Sequence, residues 1–210
     1  MSNIKESTIF KIITLGESGV GKTSIIRRFL FNVYDPNSIT TVGVSFSYKE
    51  LKINNKETIK IKLIDTAGRE KYRSLAKTYF KNAEGVFFVY SKNDINSFEC
   101  IKEWIKLFKE NHGNEDLPKY LVQNKDDLKD GEDTVDPNLG QDFAKKNDLI
   151  WIKTSAKDNI QIEELFQSIG EQLYKKYISN KKNSKQSGFV LSKHKKEKHS
   201  CCLLTSQVDD

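Results

Sequence analysis

Cysteine is scarce in this chain of 210 residues: Cys100, Cys201 and Cys202 are the whole supply. That number gives neither a disulfide framework nor metal-ligand spacing, and it suits a reducing, cytosolic compartment. Cys100 lies in the helical pattern SFECIKEWIKLF and reads as a small buried side chain. Long apolar runs are also missing. The longest, GVFFVY at 85–90, falls far short of the roughly 20 residues that cross a bilayer. The first ten residues, MSNIKESTIF, have no basic region followed by an apolar stretch, so no secretory signal is expected. Ser2 stands where N-myristoylation needs glycine. Charge of one sign is absent from most of the chain. Residues 1–174 carry 26 basic and 26 acidic side chains, while 175–210 carry nine lysines against Glu197, Asp209 and Asp210. The net charge of +6 is therefore that of the last segment, and a cationic tail on a neutral body suits an anionic surface. Phe189 is the only aromatic residue after Tyr177, too little for base stacking, so no nucleic-acid partner is expected.

What is present is a soluble globular composition, 37% hydrophobic and 30% charged, at a length that suits one domain with a tail. TIFKIITL (8–15) is rich in β-branched residues and runs into a glycine loop, as a buried strand does. KTSIIRRFLF (22–31) has helical spacing. VSFSYKELKI and KETIKIKLI flank Asn54-Asn55 and alternate apolar with polar, which predicts a β-hairpin. GVFFVY and KYLVQ read as central strands. NSFECIKEWIKLFKE between them reads as a helix capped by Asn96 or Ser97. Helix, strand and helix follow in NLGQDFAKKN, LIWIKT and IEELFQSIGEQLYKKYI. This alternation predicts an α/β domain over 8–178, a central, mostly parallel sheet covered by helices on both faces. Residues 1–7 are left as an N-terminal extension, and 179–210 as a flexible basic tail.

Four loops follow predicted strands, where ligands bind in such sheets. GESGVGKT, Gly16 to Thr23, has the form G-x-x-x-x-G-K-[ST]. Its glycines let backbone amides turn inward around phosphates, and the helix opening near Lys22 adds the positive end of its dipole. Lys22 would reach the β- and γ-phosphates, and the Thr23 hydroxyl would ligate Mg²⁺. In DTAG (65–68), Asp65 would hold a water of the Mg²⁺ shell and the Gly68 amide would meet the γ-phosphate. In NKDD (124–127), the Asp127 carboxylate can accept from both N1–H and the 2-amino group of guanine, a pair of donors adenine lacks. Lys125 would pack along the base, and in TSAK (154–157) the Ala156 amide would meet guanine O6.

Taken in order, Gly16–Thr23, Thr41, Asp65–Gly68, Asn124–Asp127 and Ser155–Lys157 resemble the Ras superfamily. TVGVSF, KYRSL, TYFKNAEGVFFVY, LVQNKDDL and the Cys-Cys pair behind a basic tail are similar to Rab proteins. The resemblance covers about residues 8–178, with the two cysteines, and implies a P-loop small GTPase domain with a six-stranded sheet. It implies GTP and GDP as ligands, held by Gly16, Glu17, Ser18, Gly19, Val20, Gly21, Lys22, Thr23, Ser24, Tyr34, Thr41, Asp65, Gly68, Asn124, Lys125, Asp127, Ser155, Ala156 and Lys157. Mg²⁺ would lie at Thr23, Thr41 and Asp65, with Lys22, Thr41, Gly68 and Arg69 as the catalytic set. It further implies a monomer served by an exchange factor, a GTPase-activating protein and effectors in vesicle traffic. Such a protein resides in the cytosol and, once lipidated, reversibly on the cytoplasmic face of an internal membrane.

Several residues depart from the family pattern. Arg69 replaces the glutamine that positions the attacking water. Arginine has donors only and stays protonated, so it cannot accept from that water. Three outcomes are open: slow intrinsic hydrolysis, donation to the γ-phosphate in cis, or no large change. Slow hydrolysis is the expectation, and a nucleotide-stabilised effector-binding module with negligible turnover is the alternative reading. Phe46, Ile64 and Tyr79 match the effector-facing aromatic patch, but Ile64 stands where Rabs usually carry tryptophan, which makes the patch smaller. Ser91 and Gln123 replace an aspartate and a glycine, with no function attached. Cys201 and Cys202 resemble geranylgeranylation sites, yet LLTSQVDD follows them, with no C-a-a-X box.

Overall fold

The computed structural model describes residues 8–38, 40–41, 43–54, 57–66, 78–112 and 116–191, with side chains to residue 182. Its strands are β1 (Ile9–Leu15), β2 (Val44–Lys52), β3 (Thr58–Thr66), β4 (Gly85–Ser91), β5 (Lys119–Asn124) and β6 (Ile150–Lys153). They form one six-stranded sheet in the order β2-β3-β1-β4-β5-β6. β2 and β3 are the predicted antiparallel hairpin, and every other pairing is parallel. All seven residues of GVFFVYS are buried, as a central strand covered on both faces requires.

Helices α1 (Lys22–Phe31), α2 (Ile95–Glu99), α3 (Ile101–His112), α4 (Pro137–Lys146) and α5 (Ile162–Leu191) connect or follow these strands. Strand side chains alternate between faces, and the core divides accordingly. Ile13, Ile64, Val86, Phe88 and Tyr90 pack with Phe98, Trp104, Ile105, Phe108 and Ala144 of α2, α3 and α4. On the other face Phe166 of α5 stacks on Phe29 of α1 at 3.7 Å between ring centroids and meets Phe87 edge-on at 5.3 Å. The sheet is thus a hydrophobic layer clothed on both sides, and the loops after β1, β5 and β6 meet at one end of it.

Two local expectations change. The cap of the helix after β4 is Asp94 rather than Asn96 or Ser97: its carboxylate accepts from Ser97 N–H at 3.0 Å. Ser97 instead donates its hydroxyl to Asp94 O at 2.7 Å and accepts from Ser91 N–H at 3.0 Å. Aspartate, asparagine and serine all make good caps, and strand β4 decides by supplying a competing donor to Ser97. The segment expected as tail from 179 is also helical at its start, because α5 runs through Leu191. Residues 179–187 lack apolar period but contain neither proline nor glycine, and Lys181, Lys182, Lys185 and Gln186 favour helix. Lys181 lies over the Tyr177 ring at 5.6 Å, one turn back. The chain divides into two units between Lys175 and Lys176. No helix among the described residues is long and apolar enough to cross a membrane.

Candidate nucleotide site

The loop from Gly16 to Thr23 joins β1 to α1. Gly16, Gly19 and Gly21 all take positive φ, which lets the backbone turn tightly without a Cβ penalty. Gly21 is the N-cap and offers no side chain to the first-turn amides, so these stay directed toward the loop. Lys22 folds back across the turn. It is 5% exposed, and its Nζ donates to Gly16 O at 2.8 Å and Glu17 O at 2.7 Å. Burial lowers its pKa to about 8, against opposing pulls from the Asp65 and Glu17 carboxylates. A buried ammonium with two carbonyl acceptors is a group whose charge a phosphate would stabilise.

Three oxygens converge beside it. Thr23 Oγ1 donates to Asp65 Oδ2 at 2.6 Å and lies 2.6 Å from Thr41 Oγ1. A hydroxyl has one proton, so Thr41 is the donor in the second bond. Asp65 is 4% exposed. Burial raises its pKa, while the Thr23 hydrogen bond and the Lys22 and Arg27 charges lower it. Its Oδ1 is buried and finds no hydrogen-bond partner among the described residues. Two hydroxyls and a carboxylate with a spare buried oxygen fit a small hard cation.

The base side is built by β5 and the loop after β6. Asn124 Nδ2 donates to Val20 O at 2.9 Å, and its Oδ1 accepts from Thr154 Oγ1 at 3.2 Å and Ala156 N–H at 3.3 Å. One side chain therefore stitches three loops together. Asp127 Oδ1 accepts from Ser155 Oγ at 2.5 Å, and Lys157 Nζ lies 3.8 Å from Oδ2. Lys125 has φ +65.

A cavity of about 520 Å³ connects these parts. Ser18, Gly19, Gly21, Lys22, Thr23, Ser24, Tyr34, Thr41, Asn124, Lys125, Asp127, Ala156 and Lys157 line it. Gly16, Glu17, Val20, Asp65 and Ser155 stand behind that lining, each hydrogen-bonded to a residue in it. Tyr34 is 37% exposed. Gly68, Arg69, Cys201 and Cys202 lie outside the described residues.

Some supporting residues carry no local sequence signal. Trp104 Nε1 of α3 donates to Glu17 Oε1 at 2.9 Å, bracing the phosphate loop from the helix beside it. Gln123 Oε1 accepts from Tyr90 OH at 2.8 Å, and Trp151 Nε1 donates to the Tyr90 hydroxyl oxygen at 3.2 Å. This buried polar row crosses β4, β5 and β6 and takes up the Gln123 carbonyl, while Gln123 Nε2 is buried with no hydrogen-bond partner among the described residues; burial raises the Tyr90 pKa. Ser91, the other departure, donates its hydroxyl to Asn93 Oδ1 at 2.7 Å, in the turn after β4.

The expected aromatic patch needs one correction. Phe46 is 43% exposed and Ile64 is fully buried, so Ile64 offers no surface. It sits in register between Phe46 of β2 and Ile13 of β1, and its short side chain joins the α3-side core. What remains exposed is Phe46, edge-on to Tyr79 at 5.3 Å, with Lys62 Nζ 4.7 Å from the Phe46 ring.

The sequence pattern of the Ras family matches residues 11–175. The chain is 39% identical over 181 residues to Ras-related protein Rab-11B of Dictyostelium discoideum, covering 86% of this chain and 81% of that one. It is 36% identical over 174 residues to Ras-related protein SEC4 of Saccharomyces cerevisiae, covering 83% and 79%. To Ras-related protein Rab-10 of Diplobatis ommata it is 34% identical over 168 residues, covering 80% and 82%. The chain belongs to the Ras family of small GTPases, and within it is Rab-like.

Proposed function

We propose that this chain is a guanine-nucleotide switch whose GTP form lives long. The observation that carries the binding site is the single cavity edge on which Lys22, the Thr23–Thr41–Asp65 oxygens and the Asn124–Asp127 loop meet. Gly16–Thr23 hold the phosphates through backbone amides, and the Lys22 ammonium binds the β- and γ-oxygens. Thr23, Thr41 and Asp65 hold Mg²⁺, which when bound offsets phosphate charge. Asp127 reads the base edge, Ala156 meets O6, Lys125 packs along the ring, and Tyr34 covers its rim. Thr41 and Gly68 couple the γ-phosphate to the two segments that change between states. An exchange factor, a GTPase-activating protein and effectors then act on that difference in vesicle traffic, with Phe46 and Tyr79 on the effector side.

Arg69 sets the lifetime. Unaided hydrolysis in this class runs at about 10⁻⁴ to 10⁻³ s⁻¹. The wild type is expected at or below the low end, because arginine offers the attacking water no acceptor. Arg69→Gln should raise the rate roughly tenfold, about 1.4 kcal/mol in the barrier, with GTP affinity little changed. Arg69→Ala should match the wild type; a slower alanine variant would instead assign Arg69 to charge stabilisation in cis. Single-turnover hydrolysis on preloaded protein measures all three, and a wild type faster than the glutamine variant refutes the slow-hydrolysis reading.

The tail supplies the membrane. Lysines before Cys201 and Cys202 add about 1 kcal/mol each near anionic lipid, and two isoprenoid chains anchor stably where one does not. Intact-mass measurement of protein purified from its own cells should show two isoprenoids, and an unmodified mass refutes the anchor.

A further inference from the structure

Arg28 belongs to no nucleotide motif, yet its side chain holds two of the loops around the cavity. It lies in the last turn of α1. Its Nε donates to Ala156 O at 2.8 Å and Nη2 to Lys157 O at 2.9 Å. Nη1 donates to Asn32 O at 2.9 Å and Asn32 Oδ1 at 3.1 Å. All three guanidinium nitrogens are thus engaged, and the planar fork holds two successive carbonyls at a fixed spacing, which a lysine ammonium cannot do. Arg28 holds Ala156 through its carbonyl, so the peptide keeps its orientation when its N–H, 3.3 Å from Asn124 Oδ1, turns to guanine O6 instead. Asn32, in the left-handed conformation, ends α1, two residues before Tyr34 at the cavity rim.

We infer that Arg28 is a positioning residue for the guanine base. It acts through Ala156 and Lys157, and it ties their loop to the segment that leads into Tyr34. The loop after β6 is tied by backbone bonds at Thr154, to Gln123 O at 2.7 Å and from Asp126 N–H at 3.0 Å, and by the Ser155–Ile160 bridge, and at Ala156 and Lys157 side chains add to that hold. Arg28 is the anchor from α1, the helix that also opens at the phosphate loop. The same guanidinium therefore sets the distance between the phosphate end and the base end of the site. Moving the 32–34 segment removes two of its four acceptors and loosens its hold on the base loop, which favours nucleotide release.

The inference rests on the proposed contact of the Ala156 amide with guanine O6, and the experiment separates the two. Release of GDP and of 6-thio-GDP is timed on the full chain by displacement with excess GDP. A thiocarbonyl sulfur accepts a hydrogen bond more weakly than a carbonyl oxygen, so the wild type should release 6-thio-GDP several-fold faster, as loss of about one hydrogen bond implies. Arg28→Ala should release GDP about tenfold faster than the wild type, the scale of one to two lost positioning bonds, and should lose most of its preference for the oxo base. Arg28→Lys should fall between them. Asn32→Gly keeps the left-handed backbone and removes only the Oδ1 acceptor, so it should accelerate release about twofold. If Arg28→Ala does not fold, these two milder variants carry the test. Wild-type release rates in the Arg28 variants overturn the inference. So does equal acceleration of both nucleotides with the oxo preference intact, which marks a purely structural arginine. A wild type that does not distinguish the two nucleotides refutes the Ala156–O6 contact itself, and the inference falls with it.

Discussion

Asp127→Asn should weaken GTP binding about 100-fold and make xanthosine triphosphate the better ligand. The carboxylate is 6% exposed and stands between Ser155 Oγ at 2.5 Å and Lys157 Nζ at 3.8 Å. Those neighbours fix its plane, so both oxygens are directed rather than free to swing. Guanine presents two donors, N1–H and the 2-amino group, to a group that only accepts. Hydrogen bonds to a charged group contribute about 1.5–3 kcal/mol each. An asparagine turns one acceptor into a donor, which faces the 2-amino group, and the loss is at least one such bond with an added donor–donor conflict. A total of about 3 kcal/mol corresponds to the 100-fold. Xanthine carries a carbonyl in place of the 2-amino group, and the asparagine Nδ2 then has an acceptor. The substitution is isosteric, and the Ser155 hydroxyl can still donate to the amide oxygen, so folding should be unaffected. Competitive titration of the two triphosphates on the full chain measures the change. An undiminished preference for GTP removes Asp127 from base recognition.

Gly16→Ala should lower the thermal midpoint by roughly 10 °C or more. The residue has φ +143, and a Cβ there would lie 2.1 Å from the Val89 carbonyl oxygen of the neighbouring strand β4. Backbone held in a glycine-only region costs about 1–3 kcal/mol, and overpacking against an atom that cannot rotate away costs about 1–3 kcal/mol more. For a chain of this size, each kcal/mol shifts the midpoint by about 2–4 °C. Gly19 is the control. Its φ is +80, but a Cβ would meet nothing within 4 Å. Gly19→Ala therefore carries the backbone strain without the collision, and its midpoint should fall about half as far. Thermal unfolding of the three proteins in saturating GDP gives both differences. A Gly16→Ala midpoint within about 2 °C of wild type would show that β1 and β4 are not packed as tightly as the register implies.

Where chemistry is contiguous, the sequence by itself determines it. Gly16 to Thr23 carries its turn, its lysine and its helix start within eight residues, because backbone amides and a helix N-terminus are made by neighbours in the chain. The alternation of VSFSYKELKI with KETIKIKLI determines the hairpin in the same way, since side chains two apart share a face. The identity of Arg69 and the confinement of excess charge to the last 36 residues are also sequence facts, and tertiary packing does not alter what an arginine can accept. Tertiary structure decided the rest. Ile64 matched a surface position by pattern, but the pairing of β3 with β1 and β2 and the cover of α3 put it in the core. Asp94 rather than Asn96 or Ser97 caps α2, because the Ser97 hydroxyl is taken up by Ser91 of β4. Trp104 braces Glu17 from 87 residues away, and Arg28 reaches Ala156 from 128 residues away. Pairings at such separations have no period and no spacing for a sequence to display. They exist because the sheet order brings the ends of β1, β5 and β6 to one side of the molecule, where side chains of a few ångströms' reach can join loops that the chain itself keeps far apart.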